Sequence, residues 1–272
     1  MAVKLIVSDI DGTLIDSANL KFDPSPENRA AVRRAVDKNI IVALATGRMY
    51  KSAARYARQL GLKESTPVIS YNGALIKSLE GDVVYSSCLP GELAVEILEY
   101  AFRRGLYIQL YYQDEFHFVA EEEKARIYQR STRLPGVASG EKGLKELAAT
   151  GTIPKLLIIS EEGRLTRGII ADLNRDFAGR IVAVQSAERY IDIMLPEVSK
   201  GNAVRRLAKL YGCDLSEVMC LGDSENDISM LEVAGISVAM GDAADPVKAA
   251  ADYVTAPVGE NGFAQALEKF VL

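Results

Sequence analysis

The chain has 272 residues, 49% hydrophobic and 25% charged, with a formal net charge of −5. This mix fits a soluble globular protein with room for two domains, and the acidic balance argues against nucleic acid or an anionic membrane as main partner. No apolar run approaches the roughly 20 residues of a membrane span. The short stretch from Val3 to Val7 runs straight into Asp9 and Asp11, unlike a secretory signal.

Lys4 to Ser8 reads as a buried strand. Ser25 and Pro26 form a helix start, N-cap then first helical position, and Ala30, Ala31, Val32, Ala35 and Val36 give the helix its apolar face. Ile40 to Ala45 is a second strand, a helix runs from about Met49 to Gly61, and Val68 to Ser70 is a third strand. Short apolar strands separated by helices predict a doubly wound, Rossmann-like α/β core built on a parallel sheet. Asn72-Gly73 and Gly81-Asp82 then flank a predicted hairpin, Ala74 to Leu79 and Val83 to Leu89. A helix over Pro90 to Arg104 is followed by strands at Leu106 to Tyr112 and Glu115 to Val119. A helix (Glu122 to Arg133), a strand (Lys155 to Ser160), a helix (Arg164 to Phe177) and strands at Arg180 to Gln185 and Tyr190 to Leu195 complete this middle section. Adjacent strands without intervening helices predict a second, α+β domain. After Pro196 the first pattern returns: helices at Lys200 to Tyr211, Glu225 to Ala234 and Asn261 to Phe270, and strands at Val218 to Leu221, Ile236 to Ala239 and Tyr253 to Thr255. The reading is a core of residues 1–83 and 196–272 interrupted by a domain over 84–195.

Cys88, Cys213 and Cys220 are odd in number and form no C-x-x-C pair, which points away from a disulfide framework or zinc site and toward a reducing, cytoplasmic setting. His117, the only histidine, lies in an alternating strand pattern, so acid–base chemistry falls mainly to carboxylates.

Four polar clusters stand at predicted strand ends or helix starts. Asp9-Ile10-Asp11-Gly12-Thr13-Leu14 follows the first strand, where ligands bind in open α/β sheets. Two carboxylates so close repel, which a divalent cation would relieve; as a plain strand-to-turn transition they would simply be solvated. Thr46-Gly47-Arg48 offers a hydroxyl and a helix N-terminus to a phosphate, or only an N-cap. Lys200 opposes the dipole of the helix it begins, and is either solvent-facing or set against an anion. Gly222-Asp223-Ser224-Glu225-Asn226-Asp227 suits helix capping and metal binding equally. Together the clusters supply hard oxygen donors, a hydroxyl and a cation on one core, a set that suits Mg²⁺ with a phosphate.

With these motifs the sequence resembles the haloacid dehalogenase superfamily, and more closely its Cof-type (subfamily IIB) sugar-phosphate phosphatases. DIDGTL, TGR, SYNGA, VSKGNAV and GDSENDISML occur in order along essentially the whole chain. The resemblance implies a Mg²⁺-dependent phosphatase in which Asp9 is the nucleophile and Asp11 the general acid, then base. The metal would be held by Asp9, the Asp11 carbonyl and Asp223, with Asp227 beside them orienting water or Lys200. The Ile10 amide, Thr46, Gly47, Lys200 and Asn226 would bind phosphate. Arg48, Asn72 and Gly73 would lie toward the leaving group, where a large α/β cap closes over a small phosphorylated substrate. The protein would be a monomer or small homo-oligomer, with no nucleic-acid or membrane partner. The alternatives are a phosphomutase of the same superfamily and a non-enzymatic Mg²⁺- or phosphate-binding module. Tyr111, Tyr112, His117 and Arg189 are unranked candidates for substrate selection.

Overall fold

A computed structural model describes residues 2–272, and its elements follow in chain order. The first part holds β1 (Leu5–Ser8), α1 (Pro26–Asp37), β2 (Ile41–Leu44), α2 (Tyr50–Gln59), β3 (Pro67–Ser70), β4 (Leu75–Ser78) and β5 (Val83–Ser86). The middle holds α3 (Gly91–Arg103), β6 (Tyr107–Tyr112), β7 (Glu115–Phe118), α4 (Glu123–Thr132), β8 (Val137–Ala138) and α5 (Gly140–Ala148), then β9 (Leu156–Ile159), α6 (Gly163–Asp176), β10 (Val182–Ala187) and β11 (Tyr190–Met194). The last part holds α7 (Lys200–Leu210), β12 (Val218–Gly222), α8 (Ile228–Leu231), β13 (Ile236–Ala239), α9 (Asp245–Ala249), β14 (Tyr253–Val254) and α10 (Gly262–Phe270). Two compact units result: the chain up to Tyr85 with Ser199–Leu272, and Ser86–Val198.

In the first unit, among the described residues, a five-stranded sheet runs β14-β13-β12-β1-β2, with every pair parallel. Strand alternation explains why it is covered on both faces. Ile6, Val42, Leu44, Met219 and Leu221 pack with apolar residues of α1, α2 and α10. Their neighbours Leu5, Val7, Ala43, Val218 and Cys220 pack with residues of α7 and α8. Antiparallel β3 and β4, with β5 beside β4, extend this unit, and Ile69 bridges in parallel to Ala45 at the end of β2. The Ser25 hydroxyl accepts the Asn28 N–H at 3.1 Å and starts α1 as its capping residues predict.

The second unit, among the same described residues, has a six-stranded mixed sheet in the order β10-β11-β9-β6-β7-β8. Ile108, Leu110, Leu156, Ile158, Ile191 and Ile193 line one face and pack with residues of α3, α5 and α6.

Helix α9 and the two-residue strand β8 are not expected from the sequence, and two larger regions also differ from the expectation. The helix predicted over Glu225 to Ala234 is a 3-10 turn (Glu225–Asp227) followed by the single turn of α8. The Asp227 carboxylate bonds back to the amides of Asp223 and Ser224 and tightens the entry. Helix α5 has no counterpart in the sequence reading. Gly140 and Gly143 dilute its helical signal, and only Leu144 and Ala148 form its buried stripe. Among the described residues, no helix is long and apolar enough to cross a membrane.

Candidate active site

Asp9 follows β1, the strand between β12 and β2, and is 4% exposed. Its amide donates to the Leu221 carbonyl at 3.0 Å, holding it against the end of β12. The chain then turns sharply: Leu14 and Ile15 both donate to the Ile10 carbonyl, and Gly12 sits at φ +76°. A Cβ on Gly12 would lie 2.3 Å from an Asp223 carboxylate oxygen. Only glycine lets the loop after β1 approach the loop after β12 so closely.

Lys200 opens α7, with Ser199 as N-cap. Its side chain is 1% exposed, and Nζ donates to Asp9 Oδ1 at 2.6 Å and to Asp227 Oδ1 at 2.5 Å. These two carboxylates account for a cation at the unfavourable end of a helix dipole. Burial opposes the lysine charge, but Asp227 and Asp9 outweigh it and its pKa lies above the ordinary lysine value.

Asp227 is fully buried, its second oxygen accepting the amides of Asp223 and Ser224 at 3.0 Å each. Asp223 accepts from the Thr13 and Ser224 hydroxyls at 3.0 Å each. Burial, helped by Asp227, pushes Asp223 up to about 7. Burial also holds Asp9 well above the ordinary carboxylate range, although Lys200 pulls the other way. Carboxylate oxygens of Asp9, Asp223 and Asp227 lie within 4.8 Å of one another. Three acids share a single lysine, and every donor is an oxygen. The set fits a hard divalent cation such as Mg²⁺, whose charge would offset the surplus.

Asp11 is bonded to Arg48. Arg48 donates from Nε to Asp11 Oδ2 at 2.5 Å and from Nη2 to Asp11 Oδ1 at 2.6 Å. Burial tends to raise the Asp11 pKa, but Arg48, aided by a hydrogen bond from Ser17, holds it below the ordinary value.

Thr46, Gly47 and Arg48 form the loop between β2 and α2. The Arg48 amide donates to Thr46 Oγ1 at 3.1 Å. Residues Tyr71, Asn72 and Gly73 all adopt left-handed backbone, at φ 51°, 57° and 103°. In a non-glycine residue such backbone costs roughly 1–3 kcal/mol and persists only where the surroundings hold it. Here the Tyr71 amide donates to the Arg48 carbonyl at 3.0 Å and the Asn72 amide to the Thr46 carbonyl at 2.9 Å. Asn72 Oδ1 accepts from Asn226 Nδ2 at 3.0 Å. The Asn72-Gly73 turn therefore ties the loop after β2 to the loop after β12, beyond its expected role as a hairpin signal.

The residues of all four sequence clusters thus meet in the first unit. The sequence reading gave no role to Thr13, Ser17, Ser52 or Tyr71, and took Ser224 only as a possible helix cap. The Thr13 hydroxyl acts on Asp223, 210 positions away, so no local pattern marks it. The candidates in the second unit have structural bonds. Tyr111 is buried in a chain linking Tyr107, Gln109, Tyr111 and Tyr128, beside the Lys155–Asp192 ion pair at 2.8 Å. His117 Nδ1 pairs with Ser139 Oγ at 2.9 Å, and Arg189 Nε donates to the Ser160 carbonyl at 2.9 Å.

A family model described as haloacid dehalogenase-like hydrolase matches residues 6–267. The chain is 32% identical to the protein YxeH of Bacillus subtilis over 271 residues, covering 99% of this chain and 98% of that one. It is 30% identical to phosphatase YwpJ of the same organism, over 98% and 99% of the two chains. Among solved structures, the subclass IIB sugar phosphatase BT4131 superposes with a TM-score of 0.83 at 25% identity, over 98% of this chain and 99% of that one.

Proposed function

The chain belongs to the haloacid dehalogenase-like hydrolases, and from that premise we propose that it is a Mg²⁺-dependent phosphatase of small phosphorylated metabolites, sugar phosphates foremost. One observation carries the reading: Asp9 stands at the end of a central strand with Lys200 on one oxygen and the carboxylates of Asp223 and Asp227 close by. Relatives named as phosphatases, and a sugar phosphatase among the solved structures, support the reaction class and the substrate class respectively.

In this mechanism an Asp9 oxygen attacks phosphorus, and the bond from phosphorus to the leaving oxygen breaks. Asp11 supplies the proton that oxygen takes. The acyl phosphate on Asp9 is then attacked by water, whose proton passes to Asp11; the bond from Asp9 to phosphorus breaks and inorganic phosphate departs. Asp9, Asp223 and the Asp11 carbonyl would hold Mg²⁺, with Asp227 beside them, and the ion would neutralise charge on the phosphoryl group. Lys200, Thr46, Gly47, Asn226 and the Ile10 amide bind the phosphate, and Arg48, Asn72 and Gly73 lie toward the leaving group.

The test is phosphate release from p-nitrophenyl phosphate and a panel of sugar phosphates, with Mg²⁺ and with chelator. Release should stop in chelator and return with Mg²⁺. Asp9→Asn should lower turnover by at least about 10³-fold while the protein keeps its fold. Release that persists in chelator would contradict the metal role, and an active Asp9→Asn would remove the nucleophile.

A further inference from the structure

We propose that Arg48 is the positioning residue of Asp11, aiming its carboxylate at the attacking water, rather than a contact to substrate. The inference rests on the aspartyl-phosphate reading above and deepens it. Two parallel N–H donors on the two oxygens of one carboxylate fix its plane as well as its place. Asp11 is 37% exposed and takes its two-pronged hold from Arg48, which is 12% exposed.

Arg48 is itself held on every side. Its Nη1 donates to Ser52 Oγ at 3.1 Å, one turn into α2. Its guanidinium lies 5.4 Å from the centre of the Tyr56 ring. Its amide and carbonyl are bonded to Thr46 and to the left-handed Tyr71. Three of its donors thus serve Asp11 and Ser52. A lysine could supply the charge but not the two-pronged geometry.

The step concerned is hydrolysis of the acyl phosphate. Water forms its bond to phosphorus, its proton goes to Asp11, and the Asp9–phosphorus bond breaks to give phosphate and the free carboxylate. A misaimed Asp11 should slow this step and leave the departure of p-nitrophenolate, which needs little protonation, almost untouched. Arg48→Lys is therefore expected to lower kcat on p-nitrophenyl phosphate about 10²-fold. KM should fall with it, and acid-trapped phosphoenzyme on Asp9 should rise toward one per site. In an Asp11→Asn background, Arg48→Lys should change kcat by less than about 3-fold, because the pair acts as one unit. Ser52→Ala, which removes one anchor of the guanidinium, should show the same trapping at smaller size should Arg48→Lys fold poorly. A raised KM without trapped phosphoenzyme, or losses that multiply with Asp11→Asn, would overturn the inference and leave the phosphatase reading intact. A wild-type protein that neither releases phosphate nor labels Asp9 would overturn both.

Discussion

Lys200 sets the balance of charge in the site. Removing one partner of a buried ion pair leaves an uncompensated charge and typically costs about 3–5 kcal/mol. Lys200→Met strands two carboxylates at once, Asp9 and Asp227. Without added metal its melting temperature should fall by an amount corresponding to at least that range, and turnover should be lost. Adding Asp227→Asn should restore part of the stability and none of the activity, which thermal melts and phosphate release would read separately. His117 gives a pH dependence of different origin. Burial holds its pKa below the ordinary 6.5, and its Nε2 is buried without a hydrogen-bond partner. A base whose folded pKa is lowered contributes full stability above 6.5 and loses it as pH falls toward the folded value. Between pH 7.5 and 5.5 the loss is at most about 1.4 kcal/mol. Denaturant melts of His117→Gln should lack that component, so an identical pH slope in the variant would count against it.

Among the elements, the left-handed turn over residues 71–73 joins two loops of the site. Gly73, at φ +103°, leaves no room for a side chain: a Cβ would lie 2.5 Å from the Ser199 carbonyl oxygen. Gly73→Ala should destabilise by about 2 kcal/mol or more through strain and that contact together. It should lower kcat as well, because Asn72 and the N-cap of α7 shift with it. An unchanged melt would show that the turn yields easily. What could be read from sequence here followed from physical range. Strands β1, β2 and β12 were legible because their apolar runs are short, continuous and bounded by turn residues. The four clusters were legible because each sits at an element boundary. The pairing of Arg48 with Asp11 was not, since it spans 37 positions and depends on a fold. Nor was the turn of Tyr71, since a bulky residue gives no local signal for left-handed backbone. The interrupted entry to α8 looked like an ordinary capped helix because Ser224 and Asp227 form a capping box there.

At the scale of the molecule, the two units differ in how the chain builds them. The apolar core of Ser86–Val198 draws wholly on its own segment. Expressed alone, that segment should melt cooperatively, with dispersed side-chain NMR signals; a molten or aggregated product would show that it needs the rest of the chain. The N-terminal segment should not fold alone, because β1 pairs on one side with β12, from Leu5 opposite Val218 to Ser8 opposite Leu221.

That pairing has a consequence for synthesis. The strand that leads into Asp9 leaves the ribosome about two hundred residues before its neighbour β12, since Leu5 pairs with Val218. At ordinary translation rates the interval is on the order of ten seconds. Through that time β1 presents an open edge and Asp9 lacks Lys200, Asp223 and Asp227, so the site cannot be complete until α7 and β12 have been made. Stalled or truncated products that end before α7 carry Asp9 without the lysine and the two carboxylates that surround it in the finished fold.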